Sequence, residues 1–177
     1  MKATSHRLRL AARLLPALLA LLLLPACVSY HFGSMLPADI KTVYVPTCVN
    51  QTNEPFIEQD VTSSILAAIQ MDGSLRVVPQ EDADAILFIT LTEFWLDPVS
   101  YVSGDASSAD EYRLNIRANF VFSRTNPSEV LIDKSDIVGY EEFDFVGDLT
   151  SSKLIALRPA AEDLGRRIVD RIVQYWP

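Results

Sequence analysis

The chain has 177 residues, with 23 Asp or Glu, 15 Lys or Arg and a formal net charge of −8. Four of the fifteen basic residues and none of the acidic residues lie in residues 1–26, so residues 27–177 carry eleven bases against 23 acids. Nucleic-acid-binding domains carry a basic patch or stripe. The charge of residues 27–177 therefore argues against nucleic acid as a partner.

The N-terminal segment has the layout of a secretory signal peptide. Four basic residues precede an apolar run over residues 14–26, and no acidic residue accompanies them. Pro16 and Pro25 interrupt this run, which is shorter than the roughly 20 apolar residues of a membrane-spanning helix. We predict that residues 1–26 are a signal peptide that is removed.

The cleavage site decides how the mature chain is held. Leu24-Pro25-Ala26-Cys27 resembles the bacterial lipobox, and this resemblance implies that Cys27 receives lipid and becomes the first residue. Two or three acyl chains give stable anchoring where one does not. Val28, in place of an acidic residue, favours the outer membrane by analogy with better-studied lipoproteins. A plain secreted protein cut at Ala26, or an uncleaved anchor, is the alternative.

Residues 27–39 show no sustained period and are predicted to be a lipidated tether. A short strand is predicted at residues 41–46, which are β-branched and alternate in polarity. The polar turn at 50–53 offers Thr52 or Asn53 as the N-cap of a helix. Asp72-Gly73 ends that helix, whose apolar stripe recurs at helical spacing: Ile57, Val61, Ile65, Ala68 and Ile69.

The rest of the chain predicts four more strands and a second helix. Residues 75–78 are a short strand, and residues 85–95 are apolar on both faces at first, as in a central strand. Residues 112–123 alternate in polarity, which is typical of an antiparallel strand with one wet face. A turn at 125–128 leads into the returning strand at 130–140.

Residues 97–110 and 141–148 carry no strand pattern and are predicted to be loops. A final helix is predicted from about Pro159 to Tyr175, and residues 151–157 can extend it backwards across a kink at Pro159. Its buried stripe is Ala161, Leu164, Ile168 and Ile172. The economical packing is an α+β domain over residues 40–177, with two helices packed on one face of a mixed, largely antiparallel sheet of four to five strands.

The order of these features is similar to that of the LptE-type lipopolysaccharide-assembly lipoproteins. The run Tyr30-His31-Phe32-Gly33, close after Cys27, resembles the start of that family. Further similar stretches follow in the same order at 36–46, 50–52, 73–78, 83–87, 110–114 and 161–169. The individual motifs are diffuse, and their order carries the resemblance.

The resemblance implies an outer-membrane lipoprotein that faces the periplasm and works in lipopolysaccharide transport. In this family the domain is the plug and folding partner of a large, LptD-like outer-membrane β-barrel that exports lipopolysaccharide, and members are thought to contact lipopolysaccharide itself. The partners implied are therefore that barrel, lipopolysaccharide, and the membrane through the lipid anchor.

Two arginines and a lysine are candidates for contact with lipopolysaccharide phosphate. Arg113 and Arg117 lie four residues apart on one strand and hence on one face, and Lys134 is expected opposite them on the neighbouring strand. Arginine binds phosphate in bidentate fashion. The alternative is an ordinary solvated face with cross-strand pairs to Asp133 or Glu129.

Two aromatic residues are candidates for partner contact. Phe143 and Phe145 lie in an acidic predicted loop, and aromatic side chains are enriched at protein interfaces. Alternatively, one of them folds back into the core.

The sequence offers little for catalysis or metal binding. After residue 26 the only histidine is His31, and Cys48 is the only thiol besides Cys27. These residues give neither a nucleophile with a base nor enough ligands for structural zinc. We read Cys48 as a buried small hydrophobe and the acids at 81–84 as a solvated turn. We predict no enzyme, no metal and no cofactor.

One alternative function comes from a different class. Envelope-tethered scaffolds, such as the N-terminal domain of the Tol-system periplasmic protein or the curli-secretion lipoproteins, share the order of strand, Asn-rich turn, helix, short strand and Ala-Asp before a strand. Co-purification of a large barrel favours the export function, whereas a self-ring or a Tol-type partner favours the scaffold.

Overall fold

The computed structural model describes residues 36–101 and 109–174. Cys27, the signal peptide and residues 27–35 lie outside the described residues. In chain order, the elements are β1 (Thr42–Tyr44), β2 (Val49–Asn50), α1 (Ile57–Asp72), β3 (Arg76–Val77), a 3₁₀ turn (Gln80–Asp82), β4 (Ala85–Tyr101), β5 (Ala109–Arg124), β6 (Glu129–Asp144) and α2 (Leu149–Gln174).

The strands form one mixed sheet in the order β3-β1-β4-β5-β6, with β2 also paired to β4. The short strands make the parallel pairs: β1 pairs with β3 and with β4, and β2 pairs with β4. Strands β4, β5 and β6 form a long antiparallel meander. The predicted α+β class is confirmed. The sheet has six strands, one more than the four to five predicted, because Val49–Asn50 pairs with Thr90 and Leu91. Asn50 was predicted to be the first residue of a turn.

Both described helices pack on the same face of this sheet. The predicted stripes of α1 and α2 are buried, as are the alternate residues of β5: Leu114, Ile116, Ala118, Phe120 and Phe122. The helices run parallel, since Glu54 pairs with Lys153 before the start of α1 and Ser64 lies against Gly165 farther along both. Gly165 matters here because a Cβ would come within 3.1 Å of the Ser64 carbonyl oxygen.

Two predicted loop boundaries were wrong. Strand β4 continues to Tyr101 and β5 begins at Ala109, inside the predicted loop at 97–110. Strand β6 continues to Asp144, which lies opposite Glu111. A strand with polar side chains continues as long as its backbone forms hydrogen bonds with a neighbouring strand. Long-range strand pairing therefore overrides the local composition.

Helix α1 begins later than predicted. Its N-cap is Phe56, which has φ 67° in the left-handed region and makes no side-chain cap. Thr52 instead donates its hydroxyl to the Asn50 side chain at 2.8 Å and accepts the Glu54 N–H at 3.2 Å. The polar residues therefore stabilise the turn rather than the helix.

Helix α2 starts at Leu149 and includes Pro159. Its start is fixed by Asp148, whose carboxylate accepts the Ser151 N–H at 2.9 Å. This is an N-cap at a position that the sequence reading placed in a loop. Among the described residues, no helix has the length and apolar content to cross a membrane.

The edge strand β6 is closed by α2. The Tyr140 N–H donates to the Asp163 carboxylate at 3.1 Å, and Gly139 lies so close to Leu164 that a Cβ would overlap the helix backbone. A backbone donor at the sheet edge is thereby satisfied by a helix side chain, which blocks that position to strand addition.

Candidate functional site

The sheet face away from α1 and α2 carries the two candidate arginines. Arg117 lies opposite Glu93 of β4, and its guanidinium contacts the Glu93 carboxylate at 2.6 Å. A second carboxylate, that of Asp136, lies 3.7 Å from Nε. The guanidinium also stacks on Trp95, with Cζ 4.9 Å from the ring centroid, an arrangement that favours a cation over the ring.

Arg113 lies four residues before Arg117 on β5 and so on the same face of the sheet. Its Nε donates to Glu142 of β6 at 3.0 Å, and this hydrogen bond raises the pKa of the Arg113 guanidinium. Its Cζ lies 5.0 Å from the ring centroid of Tyr140. Asp97, opposite Arg113 on β4, accepts instead from Trp95 Nε1 at 2.8 Å.

The structure separates Lys134 from the two arginines. Lys134 lies directly opposite Phe120, whose side chain is buried in the core. Directly opposite residues of antiparallel strands share a face, so Lys134 belongs to the helix side. The expected three-residue cluster is therefore corrected to a pair. The register shift after Ala118, with Asp136 at φ 60°, sets this alternation and is not visible in the sequence.

The two arginines are surrounded by more acid than base. Four carboxylates, those of Glu93, Asp97, Asp136 and Glu142, lie beside or opposite them. Neither Glu129 nor Asp133 is among these partners; Glu129 pairs with Arg124 at 3.6 Å. A phosphate that binds either guanidinium therefore competes with a carboxylate that already contacts it. As it stands, this face is a self-paired ladder of charges.

The aromatic candidates meet at the end of the sheet where β5 begins and β6 ends. Phe143 stacks on Tyr112 with ring centroids 6.1 Å apart and packs partly buried against the core. Phe145 meets the same Tyr112 edge-on at 6.4 Å and is 42% exposed. Only Phe145 of the two therefore presents much apolar surface to a partner.

Asp84, which the sequence predicted to be part of a solvated turn, instead organises the start of the sheet. The Asp84 carboxylate accepts the Lys41 N–H at 3.0 Å, the Thr42 N–H at 2.9 Å and the Thr42 hydroxyl at 2.8 Å. The hydrogen bond from Lys41, followed by that from the Thr42 side chain, lowers the pKa of Asp84. The sequence feature that could have indicated this role is the Ala-Asp pair directly before a strand. The neighbouring acidic residues favoured the interpretation as a solvated turn instead.

Cys48 is a buried free thiol. Burial raises the pKa of this thiol, although a hydrogen bond with Thr62 lowers it in part. A thiol with a raised pKa is a poor nucleophile near neutral pH, which fits the structural role predicted for it. Within 36–101 and 109–174, no three His, Cys, Asp or Glu side chains are grouped so that they could hold a metal ion.

The comparisons with known proteins agree with this fold. Residues 40–173 match a family model described as LptE, lipopolysaccharide-assembly. The sequence has no significant match among curated proteins.

Three solved structures show the same fold at low identity. A minor lipoprotein from Acinetobacter baumannii has a TM-score of 0.51 and 10% identity over 76% of this chain and 94% of that one. A putative lipoprotein from Caulobacter crescentus scores 0.52, at 9% identity over 75% and 89%. A protein from Xanthomonas campestris scores 0.50, at 12% identity over 78% and 89%.

Proposed function

The chain belongs to the LptE family of lipopolysaccharide assembly, and we propose that it acts as an outer-membrane lipoprotein that plugs, and helps to fold, the β-barrel that exports lipopolysaccharide. The observation that carries the proposal is the match over residues 40–173, which includes every described strand, helix α1 and all of helix α2 except its last residue. The LptE family is non-catalytic. The proposed role is accordingly one of binding and positioning.

Anchoring at the membrane is part of the proposal. Cys27 is the lipidated residue, and the chain before it is removed. Leu36 packs against the core, and Asp39 pairs with Arg124 at 3.3 Å, so the fold begins before residue 40. Eight residues, 28–35, then separate Cys27 from the described part, which allows a span of at most about 30 Å between lipid and domain.

Contact with the barrel is assigned to the end of the sheet where β5 begins and β6 ends. Phe145 is exposed beside Tyr112, and Phe143 supports the same ring from the core side. An aromatic side chain held by a rigid neighbour loses little conformational freedom on binding. Lipopolysaccharide phosphate is assigned to Arg113 and Arg117, with Glu142 and Glu93 as the carboxylates that it displaces.

Depletion of the protein in its own host tests the proposal. We expect surface lipopolysaccharide to fall and the large export barrel to accumulate in a misfolded state. The oxidation state of the barrel and its heat-modifiable migration on a gel measure this misfolding. Re-expression of the full chain restores both, whereas a Cys27→Ser chain restores neither if lipid anchoring is required. Normal surface lipopolysaccharide together with a normally folded barrel would refute the export role and leave the tethered scaffold as the better description.

A further inference from the structure

Large apolar side chains are exposed at the end of the described domain where both helices begin. An ion pair of 2.8 Å between Glu54 and Lys153 joins the chain before α1 to the start of α2. The Val146 N–H, just after β6, donates to the Ser152 side chain of α2 at 3.2 Å. These bonds bring together the segments that carry what we call the helix-start patch: Phe56, Phe145, Val146, Leu149, Leu154 and Ile155. Exposed apolar groups that cluster in this way indicate a surface that is covered in use.

Phe56 displays its ring in a backbone conformation that its residue type disfavours. Its φ is 67°, in the left-handed region, where a Cβ crowds the following carbonyl oxygen. The side chain is 74% exposed, so little packing within the domain offsets this strain. Backbone strain of this kind persists mainly at sites of function. An exposed aromatic ring is therefore held at the start of α1 at the expense of folding stability.

Carboxylates edge the helix-start patch on the side of the sheet. Over residues 109–113 and 141–148 there are six acidic residues and one base. That base, Arg113, already pairs with Glu142. Glu111 and Asp144 lie directly opposite each other on β5 and β6, an arrangement in which like charges destabilise a sheet, and neither forms an ion pair with a base of the described chain. Asp144 immediately precedes Phe145, so this unneutralised charge borders the patch.

Charge distinguishes between the possible occupants of the helix-start patch. An anionic bilayer or lipopolysaccharide would bring phosphate groups against the carboxylates of Glu111 and Asp144, and the like charges repel. A second copy of the chain would bring the same acidic edge against itself, and like-charge contacts across an interface cost binding energy. A protein surface with basic side chains next to apolar ones complements both the charge and the apolar character of the patch.

We propose that the helix-start patch docks on a partner protein surface in which apolar side chains stand next to Lys or Arg. The apolar groups of the partner cover Phe56, Leu154 and Ile155, and its bases pair with Glu111 and Asp144. This inference rests on the proposed function in one respect, because the partner it names is the export barrel. It extends the contact assigned to Phe145 onto the starts of both helices, and it specifies the charge that the barrel presents there.

The test uses the full-length, tagged lipoprotein in its host and measures the barrel that co-purifies with it. Phe56→Gly should lower the recovered barrel by about tenfold, and Asp144→Lys should lower it by about threefold. Both variants should unfold at a higher urea concentration than the unaltered protein, because Gly accepts the left-handed φ and Lys pairs with Glu111 across the strands. A merely structural role would move stability and co-purification in the same direction.

Met71→Ala and Glu81→Lys are the matched controls. Met71 is 86% exposed in the last turn of α1, and Glu81 is exposed on the 3₁₀ turn before β4. Both should leave co-purification unchanged. A photoreactive benzoyl-phenylalanine at position 56 or 155 should cross-link to the barrel, whereas one at position 71 should not.

Two failures are distinguishable. If the barrel co-purifies undiminished with Phe56→Gly and with Asp144→Lys, the docking site is refuted while the proposed function stands. If the unaltered protein retains no barrel, the proposed function itself fails. Cross-links from position 56 only to a second copy of the chain, or binding to phosphatidylglycerol vesicles that depends on Phe56, would also overturn the proposal.

Discussion

Asp84 and Thr42, 42 residues apart in the chain, exchange hydrogen bonds in both directions. The Thr42 hydroxyl donates to the Asp84 carboxylate at 2.8 Å and accepts the Asp84 N–H at 2.9 Å. The same carboxylate binds two backbone N–H groups at the start of β1. One side chain thus joins the first strand of the sheet to the chain that enters β4.

Replacing Asp84 with Asn should destabilise the domain in a pH-dependent way. The hydrogen bonds lower the pKa of Asp84 in the folded state, so the ionised form stabilises the fold above the unfolded pKa of about 4 and this contribution is lost as pH falls through the lower folded value. We expect a cost of about 1–2 kcal/mol at pH 7 that shrinks towards pH 3. Urea unfolding of both proteins at the two pH values measures it, and a difference that grows on acidification would contradict the assignment.

Replacing Gly139 with Ala should destabilise the domain by about 1–3 kcal/mol, because the added Cβ overlaps the backbone of Leu164 and forces α2 away from β6. Gly147→Ala is the contrasting variant. Gly147 has φ +76° but nothing within 4 Å of a Cβ, so its cost of about 1–2 kcal/mol is only that of the left-handed backbone. Chemical unfolding compares the two, and loss of the hydrogen-exchange protection of the Tyr140 amide should accompany Gly139→Ala alone.

The Cys48 thiol should resist alkylation until the domain unfolds. It is buried, and its pKa is raised by that burial, so both access and thiolate content are low at pH 8. In a chain with Cys27 replaced by Ser, iodoacetamide should modify Cys48 at least about tenfold more slowly in buffer than in denaturing urea. Equal rates would mean that the region between β1 and α1 opens readily.

Lipopolysaccharide binding through Arg117 predicts opposite effects of two neighbouring substitutions. Glu93→Gln removes the carboxylate that contacts Arg117 at 2.6 Å and should strengthen binding of lipopolysaccharide, since the phosphate no longer competes with a paired charge. Arg117→Gln should weaken it. Lys134→Gln, on the helix side of the sheet, should change it least. Binding to immobilised lipopolysaccharide at two salt concentrations tests the series, because charge-driven binding falls as salt rises.

The periodic parts of the fold were predictable and the contact-dependent parts were not. The stripes of α1 and α2 and the alternation of β5 lie in the sequence itself, because a helix or a half-buried strand repeats its apolar residues with its own period. The ends of β4 and β6 depend instead on pairing with β5, so Asp97 and Glu142 read as loop residues although both face Arg113 across the sheet.

The site shows the same division. That Arg113 and Arg117 share a face follows from their spacing, but the bulge that carries Lys134 to the other face depends on one residue, Asp136, with positive φ. The arginines were also expected to be candidates for phosphate. The carboxylates that neutralise them come from two neighbouring strands, and no single stretch of sequence shows them together.

The parallel course of α1 and α2 has an electrostatic consequence. Each helix acts as a dipole with about half a positive charge at its N-terminus, and antiparallel neighbours cancel these charges, whereas parallel neighbours add them. The two N-termini together amount to about one full positive charge at one end of the helical layer. Glu58, Asp60 and Asp148 lie at that end, and Arg171 lies in the last turn of α2. The acidity of the chain is thus partly a counter-charge to its own backbone.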